Sequence, residues 1–398
     1  MNLGGSSLAF AGLLIFRAGM DQTKYDYAIV GVGAAGLQLV LKMIKDDFFN
    51  EKRILLIDKD KKVANDRTWC FWEKGETIWD ELAIQTWQTG LFYNRHETIS
   101  FELEPYRYKM VRSADFYAYA KAEIAKAKNV DWANDEVLNI DSRQIIGSGG
   151  TYSAIHIFDS RISGEFQEKK DRYHSLIQHF KGWFIRTETA AFDPDVFTMM
   201  DYRLKWKDST SFTYVLPISS NTALVEFTLF NDRLLPDTEY DIYLKEYIDS
   251  YLQIKNYTIE EVEQGMIPMS DYPFHKHHSK FVTKIGTAGG WVRPSSGYSF
   301  KNADRYSTMT VENIKKGKRP EKGIANSRFR SYDSIFLNVL SKRNDLGEDI
   351  FTKLYTKPEI QSVFRFLDEE SSIFEDFRVM FSLNRPQFWK AFLTTFWR

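Results

Sequence analysis

The sequence predicts an α/β protein: a Rossmann-like dinucleotide-binding unit, an interleaved and mainly antiparallel β region, and helices at the C-terminal end. Three observations predict it. A glycine fingerprint, Gly31-x-Gly33-x-x-Gly36, sits between an apolar run and a helical pattern. Strand-like runs rich in aromatic and β-branched residues fill the middle of the chain. From Ile350 onward the pattern is helical and heavy in phenylalanine.

Ala28–Val30 is an apolar run suited to a strand covered on both faces. Gly31 permits a tight turn, Gly33 lets a diphosphate approach the backbone, and Gly36 lets the helix pack on the strand. Ala34 and Ala35 open that helix, whose first amides and positive dipole end suit a phosphate. Arg53–Asp58 reads as a second buried strand. Asp58 lies 22 residues past Gly36, where a ribose-binding acid is expected.

Composition narrows the function classes. The 398 residues carry a net charge of −1, which argues against nucleic acid as the partner. Aromatic residues make up 16% of the chain; core packing alone could absorb them, and a long apolar cavity or a membrane-facing surface would absorb them more naturally. The single cysteine, Cys70, excludes an internal disulfide and a cysteine metal site, and suits a reducing compartment. Before the first strand, Leu8–Phe16 is apolar but too short to span a bilayer and lacks a basic start. It reads as a disordered lead, as an upstream mis-assigned start with Met20 the true one, or as an interfacial anchor.

The rest follows in order. In Asn65–Glu73, Trp69, Phe71 and Trp72 either anchor a strand in the core or wall a site beside Asp66, Arg67 and Glu73. Ile84–Met110 supplies strands of a substrate region. Ser113–Lys126 reads as a helix with Ser113 as its cap. Val137–Ile146 and Tyr152–Phe158 flank Gly147–Gly150 as a hairpin. Tyr173–Glu188 and Tyr202–Phe230 supply a second sheet, and Thr238–Leu252 a helix. His275, His277 and His278 crowd a loop without the cysteines or paired acids of a metal site, so no metal is expected. Nine basic residues against two acids between Lys315 and Arg343 read as a solvated face or as a patch for anionic lipid.

The strand Phe281–Ile285 runs into a second glycine loop, with Gly286, Gly289, Gly290 and Gly297. It begins 250 residues after Gly36. A nicotinamide-binding half would be complete much earlier. A flavin extended between the two loops suits the spacing; an ordinary surface loop is the alternative. The predicted organisation is therefore a FAD-binding domain over residues 24–318, interleaved with a substrate sheet at about 67–110 and 170–265, and a helical region over 319–398.

Tyr214–Thr228 reads as a hairpin whose second strand carries Glu226 among apolar residues. A carboxyl facing an apolar cavity holds its proton near neutrality, as an acid that protonates an alkene must. A solvent-facing strand glutamate is the alternative.

The separated pieces resemble the β-ring-forming lycopene cyclases. They are the glycine fingerprint with Asp58, Asp66–Trp69, Phe158–Arg161, Gln178–Trp183, Leu224–Thr228, Gly265–Met269, and Gly289–Pro294 with Gly297-Tyr298. The resemblance implies a flavin-dependent, non-redox cyclisation of the acyclic ends of lycopene to β-rings. It implies FAD in its reduced form, NAD(P)H as electron source, and Glu226 as the acid. It implies a cytoplasmic protein held peripherally on the inner face of a membrane. Gly31, Gly33, Ala34, Ala35, Gly36, Asp58, Arg67, Gly289, Gly290 and Gly297 are expected to hold the flavin. The family usually has a second acid directly after the glutamate; here that position is Phe227. A flavin oxidoreductase acting on an isoprenoid lipid, such as a hydroxylase or prenyl reductase, and a non-catalytic prenyl-lipid carrier are the rival readings.

Overall fold

The computed structural model describes residues 24–383 and 385–396. The apolar segment Leu8–Phe16 and Met20 fall outside the described residues. In chain order, β1 (Lys24–Val30), α1 (Ala34–Ile44) and β2 (Ile54–Asp58) form the first crossover unit. Then come β3 (Thr68–Lys74), β4 (Ala83–Trp87), β5 (Thr89–Tyr93), β6 (Thr98–Glu102), β7 (Tyr106–Arg112) and α2 (Ser113–Ile124). β8 (Val130–Asn134), β9 (Val137–Asp141), β10 (Gln144–Gly147) and β11 (Thr151–Asp159) lead to a short α3 (Gly164–Lys169). β12 (Ser175–Thr187), β13 (Val196–Asp201), β14 (Thr210–Pro217) and β15 (Thr222–Asn231) precede α4 (Asp237–Ser250), β16 (Tyr257–Ser270) and β17 (Val282–Lys284). The chain closes with α5 (Phe300–Lys315), α6 (Ser327–Lys342), α7 (Gly347–Thr356), α8 (Ile360–Leu367), α9 (Ile373–Ser382) and α10 (Pro386–Phe396).

The strands form three sheets. The first has the order β8-β2-β1-β11-β10-β9, with β17 beside β11. β1 pairs in parallel with β2 and β11, and the parallel centre is buried, as crossover helices require. α1, α2 and α5 share one apolar core with it. The second sheet has the order β16-β12-β15-β14-β13-β5-β6 and is antiparallel except between β13 and β5. α4 covers one face of it. The C-terminal helices α6 to α9 pack toward the other. The third sheet, β3-β7-β4, stands beside both.

Several sequence expectations need correction. Val137–Ile146 is two strands, not one: β9 turns into β10 at Ser142, where φ is +55°. Ser113 does not cap α2 but is its first helical residue, and its hydroxyl accepts the Arg67 amide at 3.0 Å. β13 and the long β16 have no counterpart in the residue-by-residue reading. β16 escaped because its glutamates and glutamine resemble a solvated charge run; pairing to β12 along its length overrides that.

Candidate active site

The first glycine turn is built as its residues require. Gly31 has φ +80°, and a Cβ there would lie 1.9 Å from the Ser160 Oγ, which hydrogen-bonds the Val30 and Gly31 carbonyls. A Cβ at Gly36 would lie 2.8 Å from the Gly31 carbonyl oxygen, so α1 packs tightly on the turn. A Cβ at Gly33 would meet nothing within 4 Å; the space over it is open. The second loop comes to the first: a Cβ at Gly286 would lie 3.3 Å from that of Ala35.

One cavity of about 640 Å³ runs from these loops into the second sheet. Gly31, Gly33, Ala34, Ala35, Gly36, Arg67, Gly297 and Glu226 all line it. Asp58, Gly289 and Gly290 do not. Asp58 sits at the end of β2 and accepts the Val32 amide at 2.6 Å and the Asp60 amide at 2.8 Å. Gly289 leaves room for the Lys284 carbonyl, 2.4 Å from where its Cβ would be, and Gly290 takes the left-handed conformation at φ +73°. Both shape the turn rather than the wall.

The sheet wall is organised as a row. Tyr214 on β14 pairs with Glu226 on β15, Glu226 with Gly182 on β12, and Gly182 with Glu263 on β16. Directly paired residues share a face, so two carboxyls flank a residue with no side chain. Thr228 donates to Glu226 at 2.7 Å. Glu263 accepts the Thr68 amide at 3.0 Å and the Thr68 hydroxyl. Burial pushes the Glu226 carboxyl up to about 8, and the Glu263 charge adds to the rise. Burial also raises Glu263, opposed by the Thr68 donors and by Arg112 and Arg67. Glu226 keeps part of its surface, and that surface lies on the cavity wall.

Sequence reasoning missed Glu263, Gly182 and Tyr214. The signal was the alternation Glu261, Glu263, Gly265, which puts two carboxyls and a glycine on one face. Phe227, in the position of the family's second acid, faces the opposite side and stacks on Tyr243 of α4, with centroids 4.8 Å apart. A second acid comes to the cavity after all, from another strand.

The rest of the wall is largely aromatic. Phe180, Phe212 and Tyr298 line it, and Tyr214 donates to Tyr108 at 2.5 Å, which in turn lies 3.3 Å from the Tyr298 hydroxyl. β3 divides between the two readings along its length rather than by face. Trp69 and Cys70 border the cavity, whereas Phe71 and Trp72 are core. Asp66 also lines the cavity; Glu73 does not, because it pairs with the fully buried Lys109 at 3.2 Å. At the far end Phe377, Phe381, Trp389 and Phe392 line the cavity and also remain exposed. Among the described residues no helix is long and apolar enough to cross a membrane.

The remaining sequence candidates have structural partners. His277 lies 2.6 Å from the Tyr272 hydroxyl, and His278 accepts the Lys284 amide at 3.0 Å. In the basic stretch, Lys315 pairs with Asp46 at 2.7 Å, Arg328 with Asp376 at 3.3 Å and Arg343 with Asp345 at 2.7 Å.

A geranylgeranyl bacteriochlorophyll reductase-like protein from Thermoplasma acidophilum has a TM-score of 0.56 at 15% identity, over 92% of this chain and 95% of that one. The flavin-dependent brominase Bmp2 gives 0.55 at 13%, over 94% and 97%. A probable FAD-dependent monooxygenase, PqsL from Pseudomonas aeruginosa, gives 0.55 at 10%, over 87% and 100%. At these identities the likeness is one of fold, a Rossmann-like flavoprotein fold. No curated protein is similar enough in sequence to match the chain. The family model described as "Lycopene cyclase protein" matches residues 26–393, nearly the whole chain, and the protein belongs to that family.

Proposed function

We propose that this protein is a lycopene β-cyclase, converting the acyclic ends of lycopene to β-rings with no net redox change. One observation carries the reading: a single aromatic cavity joins the glycine loops to the Glu226 carboxyl, which burial pushes up to about 8. The chemistry needs an acid for a terminal alkene. Glu226 holds a proton on the cavity wall, in the company of one hydroxyl and a second carboxyl. Its transfer to the alkene leaves a carbocation, which the neighbouring double bond attacks to close a six-membered ring. Loss of a ring proton gives the product. Rings such as Phe180, Phe212 and Tyr214 stabilise the cation by about 0.5–2 kcal/mol each where they face it. The apolar wall excludes water, which would trap the cation as an alcohol.

The two loops suit a dinucleotide. Gly33 leaves open space, and the α1 N-terminus offers unpaired amides and a positive dipole end. We assign FAD to Gly31, Gly33, Ala34, Ala35, Gly36 and Arg67, with Gly297 from the second loop; Asp58 supports the turn through the Val32 amide. FAD in reduced form, supplied with electrons by NAD(P)H, would offer an electron-rich ring that stabilises positive charge. α9 and α10 carry exposed aromatics at the cavity's far end, which supports a peripheral seat on a membrane from which a hydrocarbon substrate enters.

Expression in cells that accumulate lycopene tests the function, with pigments separated by chromatography. Cyclic carotenes with the wild type, and none with Glu226→Gln that still binds FAD, are expected. Unchanged lycopene with the wild type refutes it. NAD(P)H consumed once per product would instead identify an oxidoreductase.

A further inference from the structure

The row Tyr214–Glu226–Gly182–Glu263 holds more than one acid. Glu226 and Glu263 sit two strand spacings apart, roughly 10 Å between backbones, and both line the cavity. Gly182 lies between them. A Cβ there would come within 2.8 Å of Leu224 Cδ1 and 3.3 Å of Glu226 Cβ. The glycine therefore lets the Leu224 and Glu226 side chains close over the strand between the two carboxyls, where a Cβ would push them aside. We propose that Glu263 is the second carboxyl of the reaction: Glu226 gives the proton that starts ring closure, and Glu263 receives the proton that leaves the closed ring. This rests on the cyclase reading.

The surroundings divide the roles. Both Glu263 oxygens accept from Thr68, one from the amide and one from the hydroxyl, whereas Glu226 accepts from Thr228 alone. Donors favour the charged form. Arg112 and Arg67 act on Glu263 in the same sense. Arg112 is itself engaged by Glu261, at 2.6 Å, on the same strand and face. Cys70 lies close to both carboxyls and stays a thiol. Two carboxyls whose surroundings push them apart mark an acid and a base. With one proton between them, Glu226 is the acid and Glu263 the anion.

The step balances. The Glu226 O–H bond breaks as a C–H bond forms on the terminal alkene. The neighbouring alkene's π pair forms the ring C–C bond. A ring C–H bond then breaks, its electron pair makes the ring double bond, and the proton passes to a Glu263 oxygen. Glu226 is left ionised and Glu263 neutral. Once the product has left, Glu263 gives its proton to water and Glu226 takes one back from water, which restores the start. No electron is transferred and no proton is consumed.

Glu263→Gln and Glu263→Asp, each loaded with FAD, test this with lycopene dispersed in phosphatidylcholine vesicles. Three readouts are taken: rate, ring products by chromatography, and the titration of Glu226 by carboxyl infrared bands without substrate. Glu263→Gln is expected to lose about 100-fold in rate. Its remaining product shifts toward rings with a displaced double bond or toward a tertiary alcohol. Glu226 titrates at lower pH, because a neighbouring negative charge is gone. Glu263→Asp recovers part of the rate and the β-ring. A merely structural role would not move the product pattern, and the titration shows separately that Glu263 is the charged neighbour of Glu226. A Glu263→Gln rate within about twofold of wild type, with unchanged products, overturns the proposal. Should the Gln variant fail to hold FAD, Glu263→Asp decides: a wild-type rate and pattern overturns it, and a slowed rate with shifted products supports it. A wild type that forms no ring sinks the cyclase reading itself, which is a different result from an active Glu263→Gln.

Discussion

Trp72 of β3 lies flat against Phe364 of α8, with ring centroids 4.4 Å apart and planes 4° from parallel. The Trp72 indole N–H donates to Asp368 at 2.8 Å, and Lys301 of α5 reaches the same carboxylate at 2.5 Å. The stack and the two polar contacts join the third sheet, α5 and the C-terminal helices at one point. Both rings are buried. Phe364→Ala should therefore cost about 3–5 kcal/mol. Urea unfolding of the variant beside the wild type measures it; a loss below about 1 kcal/mol would mean that the site collapses to fill the gap.

Gly31 and Gly33 should fail differently. Gly31→Ala meets Ser160 and a positive φ, so it loses stability. Gly33→Val places its Cβ where no protein atom lies within 4 Å, so it should fold and melt like the wild type but lose FAD. Thermal melting of the apo proteins and flavin absorbance after reconstitution separate the two. A Gly33→Val protein that stays fully yellow would contradict the assignment of the dinucleotide to this turn.

Glu226 links stability to pH. Its carboxyl rises from an ordinary 4.5 to about 8 in the folded chain. Between those values the folded state binds a proton that the unfolded state has released. Stability contributed by this group is thus lost as pH rises from 4.5 to about 8, and is level beyond. Glu226→Gln carries no such loss. Its advantage over wild type should grow across that window to about 2–4 kcal/mol. Denaturant titrations across that pH range test it; a constant difference would show that Glu226 is not held protonated.

Turnover depends on the same proton in the same sense. A protonated Glu226 is the working form, so the wild-type rate should fall as pH rises through about 8. A rate profile flat through that region would argue against Glu226 as the acid.

Phe374 on α9 is 88% exposed and does not line the cavity. Phe374→Ser should weaken flotation with vesicles several-fold while leaving the rate on detergent-dispersed lycopene near wild type. Equal flotation of variant and wild type would remove α9 from the proposed membrane seat.

Much of the fold was legible because it rests on local rules. The strand–glycine–helix unit at Tyr27–Leu37 depends on residues a few positions apart, and the late loop from Gly286 carries its own turn chemistry. Glu226 stood out through its apolar neighbours along one strand. Trp69 to Trp72 stayed ambiguous because alternation assigns faces without saying what each face meets. Ser113 misled because a good capping residue was drawn instead to the Arg67 amide.

By itself, the sequence determined the dinucleotide turn, the α/β class and one acid on a strand, because each is encoded in spacing along the chain. Tertiary structure alone decided that Glu263, 37 residues later, would stand on the same face as Glu226. Strand order is set by which faces can be buried together, and no local pattern records that β12 and its Gly182 come between the two carboxyls.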